Sequence, residues 1–321
     1  MTLSASSTRT ASSANAAKTR HRLQARRVAF DLSRSPLHWI PGDPLSSHLI
    51  NGINLLLPAG ELWFCRVYNQ ALPHITDPIL REDVQGFIRQ EGMHAQAHRK
   101  AEVWLQEQGM DVSAYRRRVD FVFQQLLGDA PLGLKPLQHR WLARHWLIAR
   151  VGIVAAIEHF TGLLGDWCMN SDSWDKADPV VADLFRWHLA EEVEHRSVAF
   201  DLYAHLCRTQ TGFYLSRQAL MALVFPLFLQ FIAEGGRSLA GQDPDPAVRK
   251  LARRTTARIL LDIERIGRRN DNVPTFSLIA RRTLRWVAPG FHPESEGDTA
   301  QAMAYIARSP AATAGALNRA S

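Results

Sequence analysis

Cysteine is scarce: Cys65, Cys168 and Cys207 are odd in number, scattered, and show no CxxC spacing. That excludes a disulfide scaffold and a thiolate zinc site, and it points to a reducing compartment, the cytoplasm. No glycine-rich dinucleotide or flavin motif is present, so any reducing equivalents must come from an external donor or from the substrate. Glycine and proline, at 19 and 16 of 321 residues, are near average use, which excludes collagen-like and low-complexity chains. Acidic residues are missing from the first 30 positions, where Arg9, Lys18, Arg20, Arg22, Arg26 and Arg27 carry six of the seven net positive charges. The rest of the chain is left without a basic excess, and nucleic acid is therefore not an expected partner.

Residues 1–35 read as a disordered basic tail. Their Ser- and Arg-rich composition fits a solvated tail or an organellar transit peptide. Deleting residues 1–30 is expected to spare both fold and metal binding. The run 219–233, ALMALVFPLFLQFIA, is fifteen residues long and interrupted by Pro226. It is short for a transmembrane span, which needs about 20 residues. A buried core helix is expected, with contact to a membrane surface left open.

What is present is helical periodicity. Apolar residues recur at three and four spacings, without long β-branched alternation. Pro58 precedes a helix over 61–72 and Pro73 stops it. Pro78 opens the next, to about Gln108, with Gly109 as its stop. Residues 115–127 read as an amphipathic helix or a lid. Long helices are expected over 134–169 and 179–207, with two or more others in 213–285. The fold class is all-α, a helical bundle with additional C-terminal helices. One domain spans 36–285, and 286–321 reads as a loose tail.

Chemistry is carried by ExxH, which occurs twice: Glu91 to His94, and Glu192 to His195. A spacing of i, i+3 puts carboxylate and imidazole on one helical face, where one ion can hold both. Glu61 lies 30 residues before Glu91, and Glu158 lies 34 before Glu192. The doubled pattern, one lone Glu and then ExxH, is that of dinuclear carboxylate bundles. Both lone glutamates sit in apolar runs, where a charge must be paired, metal-bound or neutralised. His188 adds HxxxExxH on the same face. The candidate ligands are Glu61, Glu91, His94, Glu158, His188, Glu192 and His195. His98 is expected to hydrogen-bond a ligand or touch substrate rather than bind metal, and His159 to be structural. Glu191 and Glu194 read either as polar-face acids or as partners that orient the ligands.

The blocks LLLPAGELWFCRVYNQ, FIRQEGMHAQAHR, AIEHFTG and WHLAEEVEHRSVAFD resemble the bacterial family of predicted metal-dependent hydrolases over most of residues 45–285. The ligand motifs alone also resemble those of the di-iron p-aminobenzoate N-oxygenase. That likeness implies a ferritin-like site with Glu91 and Glu192 bridging the metals and with Glu61 and Glu158 as terminal ligands.

Four carboxylates balance two divalent ions. Oxygen and nitrogen donors without thiolate suit iron first, with manganese or zinc as alternatives. The expected activity is dioxygen activation, with dioxygen as co-substrate, to hydroxylate or N-oxygenate a small aromatic or amine substrate. The first alternative is hydrolysis by a hydroxide held between two metals. The second is a non-catalytic ferritin-like iron-binding protein. A homodimer is compatible with the sequence.

Overall fold

The computed structural model describes residues 21–134 and 139–320. The regular structure is helical, and no strand occurs among the described residues. The site is built on α2 (Leu57–Ala71), α3 (Pro78–Glu107), α5 (Arg140–Met169) and α6 (Pro179–His195). Before them comes α1 (Pro44–Asn54), and α4 (Ser113–Asp120) lies between α3 and α5. The chain continues through α7 (Val198–Leu206), α8 (Gln210–Ala240), α9 (Pro246–Arg249), α10 (Thr256–Asn270), α11 (Phe276–Arg285), α12 (Thr299–Arg308) and α13 (Pro310–Ala320).

Local sequence explains the boundaries. Four helices, α1, α3, α6 and α9, open on Asp-Pro: the Asp side chain accepts from free N–H groups of the first turn, and the proline's fixed φ starts the helix. Helix α3 ends as expected. Gly109, at φ +86°, lets its N–H reach Gln106 O at 2.9 Å while Met110 N–H reaches Leu105 O at 3.0 Å.

Helices α2 and α3 pack as one pair and α5 and α6 as another, with lighter α2–α5 and α3–α6 contacts between the pairs. Gly165 allows the α5–α6 approach, because a Cβ there would stand 2.5 Å from Leu189 O. Helix α8 lies across α1, where Gly52 and Gly235 meet backbone to backbone.

Several sequence expectations need correction. The 179–207 helix is broken at Arg196–Ser197, where the Arg196 guanidinium takes the Val193 carbonyl that the next helical N–H would use. The 219–233 run is no fifteen-residue segment, since α8 continues through Pro226 for 31 residues. By length and composition α5 and α8 would each suffice to cross a membrane; α5 is mostly buried in the protein, α8 much less so. The presumed loose end at 286–321 instead contains α12 and α13. Asp183 of α6 anchors them, accepting from Tyr305 Oη at 2.7 Å, Ser309 Oγ at 3.2 Å and Ala311 N at 3.1 Å. Of the expected basic tail, residues 1–20 lie outside the described residues. Residues 21–35 run over α6, with Leu32 in the core.

Candidate metal centre

All seven candidate ligands converge between the two helix pairs, and all are buried. Their donor atoms form two groups, each within 4.8 Å: Glu61, His94 and His188 in one, and Glu91, Glu158, Glu192 and His195 in the other. His195 Nε2 stands 3.2 Å from Glu158, 3.2 Å from Glu192 Oε2 and 3.3 Å from Glu91. His188 Nε2 stands 2.7 Å from Glu192 Oε1 and 3.5 Å from Glu61. His94 Nδ1 faces Glu192 at 3.5 Å and Glu91 at 3.7 Å.

The surrounding network assigns each imidazole's tautomer. Asn54 Nδ2 donates to the His98 carbonyl, so its Oδ1 accepts from His98 Nδ1–H at 2.7 Å. His98 Nε2 then accepts from His188 Nδ1–H at 2.7 Å, leaving the His188 Nε2 lone pair turned inward. His94 Nε2–H donates to Glu191 at 2.9 Å. His195 Nδ1–H donates to Gln90 Oε1 at 3.1 Å, while Gln90 Nε2 donates to Glu194 at 2.9 Å. His94 Nδ1, His188 Nε2 and His195 Nε2 are therefore the nitrogens turned toward the carboxylates, and a cation taking their place must displace any proton shared there.

Outside this shell, Arg26 NH1 donates to Glu191 and Glu194, each at 2.7 Å, and His21 meets Glu194 at 2.6 Å. Glu191 and Glu194 are thus orienting partners. His98 sits against His188, and His159 packs against Trp286 and Phe291 away from the cluster. Sequence reasoning missed Gln90, Asn54 and Arg26. Gln90, directly before Glu91, had a local signal, but Arg26 had none beyond the basic tail.

Burial and crowding of like charges dominate the electrostatics of the cluster. Burial, with help from neighbouring carboxylates, raises Glu61 and Glu158 well above the usual range. Burial opposes charge on Glu192 as well, but His195 and His188 outweigh it and hold that carboxylate well below its ordinary range. Burial disfavours protonation of His94 and His195, yet the adjacent glutamates raise both. Cys65, one turn from Glu61, has its thiol pushed up to about 12 by burial and by Glu91 and Glu61, so it offers no thiolate.

The residues fit a pair of cations. Both carboxylate oxygens of Glu61, Glu91 and Glu158, and Nδ1 of His94, are buried without a hydrogen-bond partner among the described residues. Such atoms are costly unless a positive charge meets them. A separate group, His38, His48 and Asp243, is of another kind. Both imidazoles meet Asp243 Oδ2 at 2.5 and 2.6 Å, which is hydrogen-bonding distance and ties the α1 region to the end of α8.

In comparison with known proteins, the model of a family described as predicted metal-dependent hydrolase matches residues 24–297. No curated protein and no solved structure matches the chain.

Proposed function

The chain belongs to the predicted metal-dependent hydrolase family, and from that premise we propose that it is a dinuclear metal-dependent hydrolase acting on an uncharged substrate. The observation that carries this is the set of buried carboxylate oxygens on Glu61, Glu91 and Glu158 with no hydrogen-bond partner among the described residues, faced by three inward imidazole nitrogens. Glu61, His94 and His188 would hold one ion. Glu158 and His195 would hold the other, with Glu91 and Glu192 reaching both.

When bound, two such ions polarise a carbonyl or phosphoryl oxygen and activate water. The protein's own share is positional. Gln90, Glu191 and the Asn54–His98 pair keep the imidazoles aimed. Apolar side chains of α1, α2, α5 and α8 wall the cavity beside the cluster and limit bulk water there. In the reaction an acyl C–O or C–N bond breaks. Water supplies OH to the acyl carbon and H to the leaving group.

The same apolar cavity and thiolate-free donor set also favour a second reading, dioxygen-dependent oxidation of a bound substrate on iron. Reconstitution separates the two. Turnover of an ester with zinc or manganese under strict anaerobiosis is the expected result. Oxygen uptake on Fe(II) loading, with no hydrolysis by any metal form, would overturn the hydrolase reading.

A further inference from the structure

Two cavities adjoin at the cluster. The nearer, of about 140 Å³, is bordered by Glu61, Glu91, Glu158 and Glu192. The farther, of about 90 Å³, reaches from His188 between α1, α5, α8 and α10 to Val273 and Pro274. They share Ile53, Leu57, Thr161, Leu164, His188 and Phe228 as walls. Among the described residues no lysine or arginine lines either one, and in the far cavity, away from the cluster, a phosphate or carboxylate would lie unpaired in an apolar setting.

Beyond the glutamates and His188, Thr161 is the one hydroxyl on these walls among the described residues, and its Oγ1 already donates to Glu158 O at 3.1 Å. The far cavity therefore offers surface for hydrocarbon and little else. Its approach is apolar too. Leu227 lines the near cavity while standing 48% exposed, and it continues a stripe on the outer face of α8 through Leu223 and Leu215.

We infer that the far cavity is an acyl-chain site, and that the substrate is an uncharged ester or amide of a long aliphatic chain. Its carbonyl lies at the carboxylate cluster, and its chain passes His188 toward Val273. The ester or amide identity rests on the hydrolase reading; the chain site rests on the cavity alone.

The test is binding of fatty-acid methyl esters of six to twelve carbons to the full-length, manganese-loaded protein. Titration calorimetry measures affinity. A bromine at the chain end reports its position by quenching Trp167 and Trp174, which line the far cavity. Affinity is expected to rise about fourfold per added methylene, and quenching to grow with length. Leu260→Phe, which fills the far cavity, should weaken the twelve-carbon ester at least tenfold and spare the six-carbon one. Leu260→Ala, which enlarges it, should shift preference toward longer chains. Affinity that is flat or falls with chain length overturns the inference, as does indifference of the twelve-carbon ester to both variants. Chain-length-dependent binding without hydrolysis by any metal form would sink the hydrolase reading and leave the chain site standing. Hydrolysis confined to short esters would do the reverse.

Discussion

Glu192 turns one carboxylate oxygen to each half of the cluster: Oε1 lies 2.7 Å from His188 Nε2, and Oε2 lies 3.2 Å from His195 Nε2. One side chain thus joins the two donor groups. Because His188 and His195 share its helix at i−4 and i+3, the helical repeat alone presents all three to one face.

Metal content follows from the partnerless oxygens. The wild type should bind two divalent ions per chain. Glu61→Ala and Glu158→Ala should each lose at least one, as measured by elemental analysis after desalting. Two ions retained in both variants would refute the ligand assignment.

Replacing His98 tests the tautomer argument. His98→Phe removes the acceptor that holds His188 Nδ1–H, so His188 Nε2 is no longer fixed as the free lone pair. Loss of such an orienting partner typically lowers metal affinity 10- to 100-fold, about 1.4–2.8 kcal/mol. Competition with a chromophoric chelator reads this directly. His98→Gln, which keeps an acceptor, should recover part of the loss.

Removal of the basic arm should not be neutral. Residues 1–30 include Arg26, whose guanidinium meets buried Glu191 and Glu194. Arg26→Ala leaves two buried carboxylates without their cation, a change that typically costs about 3–5 kcal/mol. Chemical denaturation should show it, and deleting residues 1–30 should cost at least as much. An unchanged denaturation midpoint would mean that the contact carries no stability.

Acid should favour the metal-free protein over the loaded one. Glu61, Glu158, His94 and His195 all have raised values in the fold, so the native metal-free state holds more protons there than the unfolded chain. Their stabilising contribution is full below the unfolded values of 4.5 and 6.5, and is lost as pH rises through the raised ones. Glu192, His188 and His98 shift the opposite way. Metal binding to the four raised groups must expel protons. The gain in melting temperature on adding metal should therefore grow from pH 5.5 to pH 8, and a gain that shrinks over that range would contradict the assignment.

Helix starts and ligand spacing were legible in the sequence because both are local. Asp77-Pro78 and Asp178-Pro179 carry their caps within three residues, and Gly109 needs only its own φ to end α3. The face shared by Glu91 and His94 follows from 3.6 residues per turn, whatever else the chain does. The pairing of two such faces was readable because the pattern occurs twice.

Tertiary structure alone decided the rest. Composition marked the C-terminal segment as loose, yet Ala302 and Ile306 are buried against α6, and Asp183 supplies acceptors that no neighbouring residue reveals. The basic arm looked like a solvated tail, yet Arg26 is 165 residues from Glu191 in sequence and 2.7 Å from it in space. The far cavity exists only where α1, α5, α8 and α10 fail to fill the space among them. Caps, turns and helical faces depend on neighbours a few residues away, so the sequence by itself determined them. Buried charge pairs, docked ends and unfilled volume depend on which distant surfaces meet, and that was decided only by the packing of the whole chain.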